Sequence, residues 1–208
     1  RLHRPHPVVG PPHVARELAM RYGLSKESRV LDPCGGWGGR MLGFSSVVDS
    51  YTCCEPSTRT ARGLRQIAEF VQYFRSDFTA TIHEAPFEDV TLPPAAFDFA
   101  LTSPPYYDTE KYAPGEETNS CNRYRTFESW CAGFYAPLVH RTMAALKPGA
   151  VFVVNIGSRM YPLNDKLHEI CGDRYAVNRL NDMLSSSAGL GTSEGEGEAF
   201  YAIRASAA

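Results

Sequence analysis

Apolar positions fall at helical intervals near the start of the chain: "HVARELAMRYGL" puts Val14, Leu18 and Tyr22 on one stripe and stops at Gly23. The pattern then alternates between short apolar runs and helical stripes. "RVLDP" reads as a short buried strand, "GRMLGFSSVVD" as a helix, and "SYTCCEPS" as a strand ending at Glu55. Ser57 then caps a long helix, "TRTARGLRQIAEFVQYFRS", with Leu64, Ile67, Phe70, Val71 and Phe74 on one side. "TATIHEA" and "FDFALTS" are two more strands, and the polar "DTEKYAPGEETNSCNRYR" is a loop. "TFESWCAGFYAPLVHRTMAALKPGA" predicts one helix, bent at Pro137 and stopped at Lys-Pro-Gly. "VFVVNIG" lacks polar residues until its end, as a strand covered on both faces does. "RYAVNRLNDML" and "AFYAIRA" close the pattern as strands joined by the flexible "SSSAGLGTSEGEGE". Strands alternating with helices predict an α/β fold, an open and mostly parallel sheet with helices on both faces. The last two strands, with no helix between them, predict an antiparallel hairpin on its edge.

Composition narrows this picture without redirecting it. The 208 residues fit one domain with a real core, and 43% apolar with 21% charged residues are globular values. No apolar run is long enough to span a membrane, and the first residues, "RLHRPHPVVGPPHV", lack the apolar core of a signal peptide. A formal charge of −2 argues against a protein held on nucleic acid by bulk electrostatics, though a local basic face is compatible with it. The six cysteines show no CxxC pair and no metal-like spacing with histidine, which predicts reduced buried thiols, an intracellular location and no metal site.

Two stretches hold the candidate chemistry. "VLDPCGGWGGRML" packs four glycines, Gly35, Gly36, Gly38 and Gly39, directly after a strand that ends at Asp32. In an open α/β sheet such a loop lines the ligand crevice, and glycine lets the backbone approach a ligand with no Cβ in the way. The spacing is neither GxGxxG nor a P-loop. Glu55, at the end of the next strand, is placed to accept both hydroxyls of a ribose, so loop and acid together describe an adenosine site. "TSPPYYD" follows "FDFAL" and therefore lies beside that loop. Its prolines fix the backbone and remove two amide donors, leaving the Pro104 carbonyl aimed into the crevice. Ser103 adds a hydroxyl acceptor and Tyr106 a flat apolar face. Two acceptors beside an aromatic plate suit an exocyclic amino group on a planar base.

"VLDPCGGWGGR" followed by "SPPY" resembles the S-adenosylmethionine-dependent amino-methyltransferases that modify DNA bases, the N4-cytosine and N6-adenine group. The resemblance runs from "HPVVGPPHVARELAMRYG" to "FYAIRA" and implies a Rossmann-like class I methyltransferase fold in one domain, 1–208. It implies that Asp32, Pro33, Gly35, Gly36 and Gly38 border the methionine part of the cofactor S-adenosyl-L-methionine, that Glu55 holds its ribose, and that Phe87 in "HEAPFEDV" lies at its adenine. Residues 1–28, with His6 and Pro7, would close that site, and 108–125 would be the substrate loop. Ser103, Pro104, Pro105 and Tyr106 would be the catalytic residues. This chain departs from the usual FxGxGT loop at Cys34, Trp37 and Arg40. It also lacks an evident target-recognition domain, because both the loop from Asp108 to Arg125 and the tail from Ser158 to Glu198 are short for sequence reading.

The implied partner is DNA, either a duplex with a flipped base or a single strand, with a recognition partner or a homodimer as a source of specificity. Lys111, Arg123, Arg125 and Arg159 are the candidate phosphate contacts, against ordinary solvated charge, whereas Arg59, Arg62 and Arg65 read as a solvated helix face. Serine before Pro-Pro-Tyr favours cytosine N4 over adenine N6. An amino group in RNA or on a protein glutamine, or a non-catalytic DNA-binding methyltransferase subunit, stay open as alternatives.

Overall fold

The apolar runs of the sequence pair into one seven-stranded sheet of order β3-β2-β1-β4-β5-β7-β6. The computed structural model describes residues 10–109, 117–157, 160–180 and 198–205. The strands are β1 (Arg29–Asp32), β2 (Ser50–Cys54), β3 (Thr79–His83), β4 (Phe97–Thr102), β5 (Leu146–Ile156), β6 (Tyr175–Leu180) and β7 (Ala199–Ala205). β1 to β5 pair in parallel, and β7 runs antiparallel to both β5 and β6. The expected closing hairpin is therefore present, with its second strand inserted between β5 and its first.

Alternation along each strand splits the apolar residues between two cores, because successive side chains leave opposite faces of the sheet. Val30, Phe99, Leu101 and Val153 face one side, where α1 (Pro12–Arg21), α2 (Gly39–Phe44) and α3 (Thr58–Phe74) supply Leu18, Phe44 and Leu64. Leu31, Ala100, Phe152 and Val154 face the other. That side is covered by a helical stretch containing α5 (Phe127–Trp130) and α6 (Ala136–Ala145), and by α7 (Leu163–Cys171). A short α4 (Ser120–Arg123) precedes them.

Several local expectations change. In α3 the buried stripe is Ala61, Leu64, Ala68 and Val71. Phe70 and Phe74, expected on that side, are 62% and 69% exposed, next to Tyr73 at 84%. Each residue advances the helix by about 100°, so Val71 faces inward while its neighbour Phe70 is turned to solvent. Ser57 does occupy the N-cap position of α3, but its side chain makes no capping hydrogen bond. The helix expected to bend at Pro137 is instead α5, a π turn at Cys131–Tyr135 and α6. The wider turn takes up the missing Pro137 amide donor and keeps the ring from the preceding turn's carbonyls. β5 begins at Leu146 rather than after Lys-Pro-Gly: Leu146 pairs with Phe97 and Val151 with Phe99, so Lys147–Ala150 form an outward excursion. Lys147 anchors it to Asp98 at 2.7 Å. Residues His6, Pro7, Lys111 and Arg159 and the "SSSAGLGTSEGE" stretch lie outside the described residues. No helix among the described residues is long and apolar enough to cross a membrane.

Gly43 marks the crossing of α1 and α2, where a Cβ would come 2.0 Å from the Pro12 carbonyl oxygen. Gly63, in α3, would place a Cβ in open space. Gly43→Ala should therefore lower stability by about 1–3 kcal/mol through overpacking. Gly63→Ala should raise it by about 0.5–1 kcal/mol through helix propensity. Urea unfolding midpoints of the two variants check both signs.

Candidate functional site

β1 lies between β2 and β4, so the segments that leave their carboxyl ends start side by side. Asp32, the last residue of β1, is fully buried. Its Oδ1 accepts from the Thr102 hydroxyl (2.8 Å), the Cys34 amide (3.2 Å) and Arg40 Nη2 (3.2 Å). Its Oδ2 accepts from the Tyr51 hydroxyl (2.6 Å) and Arg40 Nε (2.7 Å). One carboxylate thus joins β1, β2, β4, α2 and the glycine loop. Thr102 also accepts from the Cys34 amide at 3.1 Å, and Arg40 Nη2 donates to the Cys34 carbonyl.

Burial and the Asp32 charge set the ionisation of the surroundings. Burial, with the Asp32 carboxylate adding to it, holds the Cys34, Cys53 and Tyr51 groups well above their usual ranges. The same two causes push the Cys54 thiol up to about 12. These thiols stay protonated at neutral pH, which leaves Pro33-Cys34 unsuited to nucleophilic attack. Burial opposes the Arg40 charge, but the Asp32 carboxylate more than offsets it, and the guanidinium pKa is raised.

The glycine loop folds back over β2. The Gly35 amide donates to the Cys54 carbonyl (2.8 Å) and the Gly36 amide to Glu55 Oε2 (3.1 Å). Glu55 Oε1 accepts from the Ser57 amide at 2.9 Å. Gly36 and Gly38 have φ of +55° and +84°, a region that glycine enters without strain. At Gly35 a Cβ would press on Cys53 Sγ at 3.0 Å, and at Gly38 on Ile67 Cδ1 at 2.6 Å. At Gly36 a Cβ would meet only ordinary contacts, Arg40 Nη2 and the Cys34 carbonyl oxygen, both at 3.9 Å. Trp37, between Gly36 and Gly38, is 60% exposed.

On the β4 side, Pro104 is buried, while Ser103, Pro105 and Tyr106 are half-buried. No hydrogen bond among the described residues reaches the Ser103 hydroxyl or the Pro104 carbonyl. The Tyr106 hydroxyl donates to the Asn155 carbonyl at the end of β5 (3.4 Å), and Thr109 donates twice to the Tyr106 carbonyl, from its amide (3.1 Å) and its hydroxyl (2.6 Å). Tyr107 takes φ +55°, a left-handed conformation costly for a tyrosine. Its ring packs on Phe127, Trp130 and Tyr161, and its hydroxyl donates to the Arg125 carbonyl at 2.7 Å. Tyr161 in turn donates to Asp108 Oδ1 at 2.6 Å.

Not every expected residue faces the crevice. The Phe87 ring is 2% exposed, within the core that contains Leu31 and Cys54, at the start of the 3-10 turn Phe87–Asp89 after β3. Arg123 pairs with Glu88 (3.1 Å) and Asp89 (2.9 Å) in that turn, so its charge is neutralised locally. Arg125 is exposed, as are Arg59 and Arg62, and Arg65 pairs with Glu84 at 2.8 Å. No group of three His, Cys, Asp or Glu among the described residues is arranged to hold a metal. Sequence reasoning passed over Arg40, Tyr51 and Thr102 as partners of Asp32, and Tyr107 as the clamp of the Ser-Pro-Pro-Tyr turn. The doubled tyrosine of "PPYYD" was the available signal for the last.

No protein-family model matches this sequence, and no curated protein matches it. Solved structures do match the fold. The glycopeptide N-methyltransferase MtfA, complexed with sinefungin, aligns with a TM-score of 0.64 at 14% identity over 99% of this chain and 98% of that one. An S-adenosylmethionine-dependent methyltransferase from Clostridium acetobutylicum ATCC 824 aligns with a TM-score of 0.62 at 7% identity, over 94% and 91% of the two chains. The tRNA (m1A58) methyltransferase TrmI from Aquifex aeolicus aligns with a TM-score of 0.59 at 14% identity, over 99% and 73%. The chain therefore has the Rossmann-like class I methyltransferase fold.

Arg40→Met would leave the Asp32 carboxylate buried without its counter-charge and should cost about 3–5 kcal/mol. Tyr51→Phe removes one of several donors to the same carboxylate and should cost about 1–3 kcal/mol. Chemical unfolding of the two variants should keep that order.

Proposed function

We propose that this chain is an S-adenosyl-L-methionine-dependent methyltransferase acting on the exocyclic amino group of a DNA base, with cytosine N4 favoured over adenine N6. The observation that supports it best is the pair of unspent acceptors, Ser103 Oγ and the Pro104 carbonyl, on a turn next to the glycine loop. The residues at the crevice fit the cofactor. Gly36 lets the loop backbone meet a ligand with no Cβ between them, and Glu55 stands at the loop for the ribose hydroxyls. Asp32, Pro33, Gly35 and Gly38 shape the loop for the methionine end, with Phe87 behind the adenine position.

The cofactor supplies an electrophilic methyl group on a sulfonium centre. The chain's task is to make a poor nucleophile competent, because the lone pair of an aromatic amine is delocalised into its ring. Ser103 and the Pro104 carbonyl would each accept one N–H, which favours the tetrahedral amine and restores its lone pair. Pro105, with no amide hydrogen, fixes the turn that presents that carbonyl. Tyr106 offers its ring to the flat base, and stacking there returns part of the few kcal/mol that flipping a base costs. Tyr107 holds the turn from behind. Orientation and proximity supply much of the rate. No covalent intermediate is required, in keeping with thiols that burial holds protonated.

A second reading, methylation of an amino group in RNA or on a protein side chain, draws on the formal charge of −2 and on Arg123 being paired with Glu88 and Asp89. Both features shrink the basic footprint expected of a protein that grips DNA on its own. In the DNA reading, sequence specificity comes from a recognition partner or a second copy.

Labelled S-adenosylmethionine incubated with duplex DNA, single-stranded DNA and RNA, followed by nucleoside mass spectrometry, decides among these. N4-methylcytosine in DNA is the expected product. Ser103→Ala and Tyr106→Ala should lower kcat by about a hundredfold or more, while Cys34→Ala keeps the activity. Glu55→Ala should weaken cofactor binding by about tenfold to a hundredfold. Cofactor binding with no labelled nucleic acid would move the substrate to another class, and no cofactor binding at all would leave a non-catalytic role.

A further inference from the structure

We infer that Arg40 is the carboxylate-binding residue of the cofactor site, with its outward terminal nitrogen donating to the α-carboxylate at the amino-acid end of the cofactor. The inference rests on the proposed function and adds to it the polar contact that recognises that end.

The guanidinium is fixed along one edge, where Nε and Nη2 grip the two oxygens of Asp32 at 2.7 and 3.2 Å. Nη2 has a further partner in the Cys34 carbonyl, inside the glycine loop. Nη1 carries two more N–H groups, and no hydrogen bond among the described residues uses them. It is not one of the buried unpaired atoms either, and the side chain is 15% exposed, so this nitrogen reaches the surface. The guanidinium is saturated on its inner edge and unspent on its outer one. A side chain in that state can take one more anionic partner without giving up those it has.

Its position matches the ligand. A Cβ built on Gly36 would approach Arg40 Nη2 at 3.9 Å, which sets the guanidinium against the glycine loop at Gly36. Along the segments that form the loop and the turn it is the only positive charge in the sequence. Arg40 is the one basic residue between Arg29 and Arg59, and Ser103–Thr109 contain none. The amino-acid end of the cofactor is zwitterionic. Loop carbonyls and Glu55 suit its ammonium and the ribose hydroxyls, which leaves its carboxylate to Arg40. Because Asp32 already holds the guanidinium plane, little side-chain freedom is lost when a second anion docks.

Calorimetry on the full chain compares S-adenosylmethionine with its decarboxylated form, which lacks only the carboxylate. The decarboxylated ligand should bind about tenfold to a hundredfold more weakly, the range for a hydrogen bond to a charged group. Arg40→Lys keeps a cation beside Asp32 but has a single terminal nitrogen, and should bring the two affinities close together. Thermal unfolding reports whether that variant is folded. Independently of any variant, the side-chain ¹⁵N resonances of Arg40 should shift on adding S-adenosylmethionine and stay in place with the decarboxylated form. Equal affinities in the wild type, or unmoved Arg40 resonances with S-adenosylmethionine bound, overturn this inference and leave the proposed function intact. Failure of both ligands to bind overturns the proposed function, and the inference falls with it.

Discussion

A buried carboxylate is costly, since removing an ion from water incurs a penalty of several kcal/mol even after the protein relaxes. Asp32 tolerates full burial because donors from β2, β4, α2 and its own loop surround it, one of them a cation. The same contacts fix the geometry of the crevice. The strand bearing Thr102 runs directly into Ser103, the strand bearing Tyr51 ends just before Glu55, and the Cys34 amide opens the glycine loop. A displacement of any of these elements would strain a hydrogen bond to a single buried group. The relative placement of Glu55, the loop and the Ser-Pro-Pro-Tyr turn is in this sense one electrostatic constraint.

The inner strands were legible because each is a short apolar run bounded by turn residues, and burial on both faces leaves few other ways to place them. Helix facing was harder to read. The stripe through Leu64 and Val71 was visible, but Phe70 and Phe74 share its apolar character and not its direction. Hydrophobicity reports what a residue prefers, whereas the sheet beneath α3 decides which preferences are met. The π turn before Pro137 was hidden for a related reason. Proline announces that a regular helix cannot continue unchanged, without saying whether the chain answers by bending or by widening one turn.

Residues recognisable by their local motif, Asp32, Glu55, the glycines and the Ser-Pro-Pro-Tyr turn, lie where the sequence put them, at the carboxyl ends of the adjacent strands β1, β2 and β4. Residues defined by partners far along the chain were not recognisable in this way. Tyr51 and Thr102 look like ordinary strand residues until β1 is set between their strands. Arg123 read as a free cation in a polar loop, and only the fold brings it to Glu88 and Asp89. Tyr107 directly follows Tyr106, yet its left-handed backbone sends the two rings to different places. One lies at the crevice and the other in an aromatic cluster with Phe127, Trp130 and Tyr161.

The insertion of β7 between β5 and β6 also sets an order of assembly. Among the described residues β6 pairs in the sheet only with β7, so it has no place there until the residues from Ala199 onward have docked against β5. The strands that carry the crevice, β1, β2 and β4, need no such wait. A chain emerging from the ribosome can organise the half that holds Asp32 and its partners while the far edge of its sheet is still unfinished, and what completes the sheet is a strand remote from the glycine loop.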